Sequence, residues 1–406
     1  MEFFGNLGQR FLDHCRQVIV ATRFLIFQER IGKLIMRNRT LILFLAGMVW
    51  LTSCKEDSED PPNSNPPDVT DTTAAVNVNL DELPYENLSE YNFFIGDQMS
   101  DLIPNEGVLL YEPITPLFTD YAKKSRYVWM PEGTSASYVE DFETFSFPDG
   151  AVLIKNFYYD EVLPFNEKRV METRIIFKRN GSWEFAEYIW NNQQTEATFD
   201  LDGRSIPIEF VRENGETIAF NYRVPSEPEC LTCHKIDTEP WPNGPKPQNL
   251  NSDLEYQEGI MNQLMKWAEV GYLDPTYPDD IETIVDWEDE TADLRSRVRS
   301  YLDANCGHCH KENAHCAYRN IRLDYKDNDR DNNLGICVPF DEFVPGQPLT
   351  IEHIIESGDA SASMLVYRMS SEEENVQMPL IGKSLIHEEG LDLITQYINS
   401  LEQTCP

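Results

Sequence analysis

Basic residues are scarce in this 406-residue chain: 33 Lys+Arg stand against 70 Asp+Glu, a formal net charge of −37. The deficit lies after residue 54, where 26 Lys/Arg face 67 Asp/Glu, a net of −41. A surface of that sign repels nucleic-acid phosphates and anionic lipid headgroups, and it steers a basic protein partner at low ionic strength. No nucleic-acid partner is therefore expected. Long apolar runs are also missing. The stretch Leu41–Leu51 is too short to cross a bilayer as a helix. Residues 80–225 hold no Gly-rich phosphate loop, no hydrolase elbow and no histidine cluster at metal-ligand spacing. Histidine is rare throughout, with seven in all. The length suffices for two or three domains with a buried core.

What is present begins with an export signature. From Met36 the chain runs Met-Arg-Asn-Arg-Thr, then the apolar stretch, then Leu51-Thr52-Ser53-Cys54. A basic start, a short apolar run and small residues before a cysteine resemble a bacterial lipobox over residues 36–53. Cleavage before Cys54 and acylation of that residue would anchor the protein, since two or more acyl chains bind membranes stably. Residues 1–35 precede an already complete signal and read as an over-extended start. Residues 54–80 open with Lys55-Glu56-Asp57-Ser58-Glu59-Asp60 and continue rich in Pro, Asn, Asp and Thr, which predicts a flexible acidic tether. Lysine and acidic residues behind a lipidated cysteine resemble a surface-export signal. The expected location is a bacterial outer membrane or cell surface, with a periplasm-facing lipoprotein as second choice.

The nine cysteines carry the chemistry. Cys15 falls in the extension and Cys54 in the lipobox. Four others form Cys230-Leu231-Thr232-Cys233-His234 and Cys306-Gly307-His308-Cys309-His310. Both are C-x-x-C-H, the attachment sequence of c-type haem. Two thiols three positions apart can add to the vinyl groups of one porphyrin, and the next imidazole then reaches the iron. A thioredoxin-like pair needs no following histidine. A zinc ribbon spaces its two pairs by about 15–20 residues, whereas 72 residues separate Cys233 from Cys306. Structural disulfides would not explain a histidine after both pairs. The motifs predict two covalently bound haem c groups, with His234 and His310 as iron ligands.

Around the second motif, residues 292–305 put Leu294, Val298, Tyr301 and Leu302 on one helical face. Residues 388–402 do the same with Leu391, Ile394, Ile398 and Leu401. Two helices crossing beside a haem is the core of small class I cytochromes c. Between them, Val376-Gln377-Met378-Pro379-Leu380 resembles the distal-ligand loop of that class, which makes Met378 the expected sixth ligand of the second iron. The first motif follows Pro225 and Pro228, which argue against a helix there. Downstream, Ser252-Asp253-Leu254-Glu255 reads as a capping box opening a helix on which Met261 and Met265 share a face. Either could ligate the first iron. Core methionines and an open or water-bound sixth position are the alternatives. Of Cys316, Cys337 and Cys405, two are expected to pair in an exported protein. Cys316–Cys337 closes the shortest loop, but the sequence leaves the pairing open. Asp327, Asp329 and Asp331 lack the glycine and terminal glutamate of an EF-hand and read as a solvated loop.

Residues 81–225 are rich in Tyr, Phe, Val and Thr and punctuated by Asp149-Gly150, Asn180-Gly181, Asp202-Gly203 and Asn214-Gly215. Strands are predicted over Ala151–Tyr159, Val170–Lys178, Trp183–Trp190 and Pro207–Val211, in an antiparallel sandwich or open barrel. The fold class is α+β multidomain. The expected division is a β-rich domain at 81–225, a first haem-binding region at 226–290 and a cytochrome c domain at 291–406.

Several stretches carry a family resemblance. They are Thr115-Pro-Leu-Phe-Thr-Asp-Tyr-Ala122, Phe147-Pro-Asp-Gly150, Glu172-Thr-Arg174, Trp190-Asn191 with Gln194-Thr195, Gly244-Pro-Lys246 with Asn249-Leu250, and Asn262-Gln-Leu264. With the two haem motifs and Met378-Pro379, these resemble exported bacterial diheme c-type cytochromes with a β-rich front half, over roughly residues 85–405. Pro247 departs from that pattern, standing where a basic residue is expected. The resemblance implies haem binding and electron transfer between exported redox partners. The alternative function is a peroxidase-like oxidoreductase working at an open first haem.

Overall fold

Strand-forming segments between Leu109 and Val224 build an eight-stranded antiparallel sheet in a computed structural model of the protein, which describes residues 74–406. Cys15, the predicted signal, Cys54 and the tether as far as residue 73 lie outside the described residues. The strands are β1 (Phe94–Ile95), β2 (Ile103–Pro104), β3 (Leu109–Leu110), β4 (Lys123–Trp129), β5 (Val152–Val162), β6 (Glu167–Arg179), β7 (Ser182–Trp190), β8 (Ala197–Phe199), β9 (Arg204–Val211) and β10 (Thr217–Val224). β1 and β2 pair only with each other. The main sheet runs β10-β9-β5-β6-β7-β8, with β4 on the free half of β5 and β3 beyond it. Asn180 and Gly181 join β6 to β7 at φ of 53° and 80°. A two-residue hairpin turn needs that left-handed pair, and Asn-Gly adopts it readily.

The predicted strands are therefore present, in one antiparallel sheet whose path does not close. Non-sheet segments cover both faces. Val152, Ile154, Ile175, Phe177, Tyr188 and Trp190 pack against Leu83, Leu88, Tyr91 and Phe93 from the preceding chain. The opposite face packs Val128, Leu153 and Trp183 against Leu250, Leu264, Trp267 and Leu273.

Two local expectations fail for identifiable reasons. A helix does form at Glu227–Cys233, because Pro228 falls in its first turn, where a missing N–H costs nothing. The side chain of Glu229 accepts from the backbone N–H of Ser226 at 2.8 Å and closes that end. Conversely, Ser252–Glu255 does not open a helix. Asp253–Tyr256 and Gly259–Asn262 form a hairpin, turning through Gly259 at φ 124°, and the helix begins only at Gln263–Glu269. The Asn262 side chain caps it by accepting from the N–H groups of Leu264 and Met265. Met261 is thus on a strand and Met265 on a helix, not on one helical face.

In the last part of the chain, the helices Leu294–Leu302 and Glu388–Asn399 pack together through Val298, Leu302, Ile394 and Ile398. The predicted apolar positions of both helices join this core, with Leu294, Leu391 and Leu401 only partly buried and Leu401 beyond the end of the second helix. Cys337 pairs with Cys405, and Cys316 is a free, buried thiol, so the shortest loop is not the one closed. The stretches 81–225, 226–290 and 291–406 belong to one compact unit. Asn249 exchanges two hydrogen bonds with the backbone of Thr115, at 2.9 and 3.0 Å. Asn305 accepts from the N–H of Phe118 at 2.8 Å. Among the described residues no helix is long and apolar enough to cross a membrane.

Candidate functional site

Both C-x-x-C-H motifs adopt the same local geometry from different elements. In the first, Cys230 and Cys233 lie one turn apart on the helix Glu227–Cys233, and the N–H of His234 donates to the carbonyl of Cys230 at 2.9 Å. In the second, the helix Leu294–Leu302 runs into the wide turn Asp303–Gly307, and the N–H of His310 donates to the carbonyl of Cys306 at 3.0 Å. The turn presses close to its neighbour. A Cβ on Gly307 would meet the Cα of Asp324 at 2.8 Å, so glycine is required there.

The two motifs open into one cavity of about 510 Å³, lined by Cys230, Cys233, His234, Cys306, Cys309, His310 and Met378. The Sγ atoms of Cys233 and Cys309 are 4.0 Å apart. Of the residues expected at the site, Met261 and Met265 are the two that the cavity wall does not include. Met265 is 57% exposed to solvent. Met378 is held in place: its N–H donates to the carbonyl of Arg368 at 3.0 Å, and the Arg368 guanidinium donates back to the carbonyl of Val376 at 2.8 Å.

Burial drives both motif imidazoles toward their neutral form, with His234 and His310 lowered to about 4. A neutral imidazole keeps a ring lone pair for a metal. Nδ1 of His234 lies 3.2 Å from the carbonyl of Trp241. A proton on Nδ1 satisfies that contact and leaves the Nε2 lone pair free for a metal. Nδ1 of His310 is buried without a hydrogen-bond partner. The donor set at each motif, two thiols and a neutral imidazole, fits a covalently held porphyrin with an iron ligand. Another clamp is also present: Cys233, His308 and Cys309 place one ligand atom each within 4.8 Å of one another.

Several residues that matter here are not legible as site residues in the sequence. Asp303, in the turn before the second motif, accepts from Lys246, Gln248 and the N–H of Tyr325 at 2.9–3.0 Å. It thereby ties Gly244-Pro-Lys246 to the second motif, and Pro247 simply starts the short helix Pro247–Leu250. His387 stacks on Phe118 at 4.0 Å between ring centroids, and its Nδ1 lies 3.0 Å from the Tyr301 hydroxyl.

Beside Cys230, the inner sheet face carries a buried ionic network. Arg174 bonds both oxygens of Glu172, and Tyr222 donates to Glu172 as well. Burial works against an ionised Glu172, yet Arg174 and Tyr222 outweigh it and hold the carboxyl below its ordinary value. Burial and the adjacent Glu172 charge push Glu187 up to about 11. Glu187 is therefore protonated in the folded protein, while in the unfolded chain it ionises near about 4.3. The folded state then binds the extra proton, so stability falls as pH rises from about 4 toward 11. Glu187→Gln should remove this dependence, and its urea midpoint should gain on the parent's between pH 5 and pH 9. Parallel pH profiles would show that Glu187 is ionised.

Comparison with protein-family models, with curated proteins and with solved structures gives no match to this chain. The class of site rests on its own residues.

Proposed function

We propose that this protein is a membrane-anchored diheme c-type cytochrome that passes single electrons between exported redox partners. The observation that supports this best is the shared cavity, in which two C-x-x-C-H motifs bring Cys233 and Cys309 to 4.0 Å. A c-type haem at each motif supplies a one-electron Fe(III)/Fe(II) couple. Cys230 and Cys233 would hold the first through thioethers, with His234 on its iron. Cys306, Cys309, His310 and Met378 would hold and ligate the second. The Trp241 carbonyl keeps His234 in the tautomer that presents Nε2. The packed helices Leu294–Leu302 and Glu388–Asn399 suit a class I-like cytochrome c domain over residues 291–406. With Cys233 and Cys309 4.0 Å apart, haems held at the two motifs would have a short path for electron exchange. The acidic chain outside the lipobox suits a basic electron-transfer partner.

Anchoring rests on Cys54. Cys54→Ser should release soluble holoprotein from the membrane fraction; unchanged partition into membranes would remove the lipoprotein reading.

One observation favours a second reading, the peroxidase-like oxidoreductase. Neither Met261 nor Met265 lines the cavity, which favours the alternative of an open or water-bound sixth position at the first iron. The two readings separate in one experiment. A carrier should be low-spin at both irons, with slow carbon monoxide binding and no peroxide turnover. High-spin iron at the first site with rapid turnover would make the protein an enzyme.

A further inference from the structure

Three cations stand in a row on the inner face of a sheet whose protein is otherwise strongly acidic. Arg126 on β4 lies directly opposite Lys155 on β5, and Lys155 directly opposite Arg174 on β6. Like charges facing each other across strands destabilise a sheet, and a buried cation without a partner costs more still. Arg174 has the ionised Glu172 as its partner. Arg126 and Lys155 form no salt bridge among the described residues. Arg126 is only 8% exposed, and burial lowers both groups below their ordinary values. An arrangement this unfavourable alone is stable when an anion completes it.

All three cations line the cavity that holds Cys230, Cys233 and His234. We infer that Arg126 and Lys155, with Arg174 closing the row, form a carboxylate site that takes the propionates of the porphyrin attached at Cys230 and Cys233. This rests on the two-haem reading above. Its geometry favours that occupant over a free anion. Arg174 and Glu172 are among the charges acting on the Cys230 thiol, so the attachment cysteine lies toward one end of the row. Arg126 is two strand spacings from Arg174, about 10 Å. Vinyl and propionate groups occupy opposite sides of a porphyrin, so a ring fixed at Cys230 can extend its carboxylates toward Lys155 and Arg126.

The test uses holoprotein carrying Lys155→Met or Arg126→Gln, with Arg126→Lys as the conservative replacement. Resonance Raman bending bands of the haem propionates should shift in Lys155→Met and Arg126→Gln and be largely restored in Arg126→Lys. The first haem's potential should fall in the first two variants while the second haem's stays put, and inorganic phosphate should move neither potential in the parent. Unshifted propionate bands in a protein that still carries two haems would overturn the assignment. A first-haem potential that responds to phosphate in the parent and not in the variants would also overturn it, assigning the row to a free oxyanion. Parent protein with no haem at Cys230 and Cys233 by pyridine haemochrome would instead defeat the underlying reading, whatever the row binds.

Discussion

Holoprotein carrying Cys230→Ser and Cys233→Ser should keep one covalent haem where the unsubstituted chain keeps two. The expectation follows from the independence of the two attachment turns. Cys230 and Cys233 belong to the helix Glu227–Cys233, and Cys306 and Cys309 to the turn that follows Leu294–Leu302. Each turn is closed by its own hydrogen bond from histidine to the first cysteine, so losing one pair leaves the other's backbone intact. The reciprocal double substitution at Cys306 and Cys309 should leave the first haem alone. Haem stain after denaturing electrophoresis, quantified by pyridine haemochrome, reads both. Equal haem content in the parent and the first variant would mean that Cys230 and Cys233 attach nothing. Zinc in the parent would point instead to the Cys233, His308 and Cys309 clamp.

Met378→Ala should abolish the Fe(III)–sulfur charge-transfer band and lower the potential of the second haem. A thioether ligand favours Fe(II), and axial ligands as a set tune haem potentials over about 0.8 V. A fall on the order of 0.1–0.3 V is therefore expected at one haem, with the other nearly unchanged. The loop supports this specificity. The reciprocal contacts between Met378, Arg368 and Val376 are largely made by backbone atoms and survive truncation of the methionine. A charge-transfer band that persists in Met378→Ala would place a different sulfur on the iron.

The sequence made the strands and the two motifs legible because both are written in local chemistry. Asn180-Gly181 dictates a tight hairpin, and Leu294, Val298, Tyr301 and Leu302 mark one buried helical face. Two other local signals are ambiguous in the sequence. Pro228 was compatible with a first turn as well as with no helix. Ser252–Glu255 matches a capping box, but the Gly259 turn and strand pairing with Gly259–Asn262 prevailed. The row Arg126–Lys155–Arg174 was hidden for a different reason. Its consecutive members are 29 and 19 residues apart and become neighbours only through strand register. In retrospect, the lone signal was Lys124, Arg126 and Val128 alternating on one side of β4, with charged residues at inward positions. The meeting of Cys233 and Cys309 likewise depends on how residues 226–290 and 291–406 come together across Asp303 and Lys246.

The most direct test is the mass of the mature protein, matured with c-type haem machinery and measured under denaturing conditions. Two haems should remain covalently attached per chain, and proteolysis should recover one haem peptide containing Cys230–His234 and one containing Cys306–His310. A denatured chain at the mass of the polypeptide alone, or with both motifs recovered as free or disulfide-bonded cysteines, would contradict the diheme account.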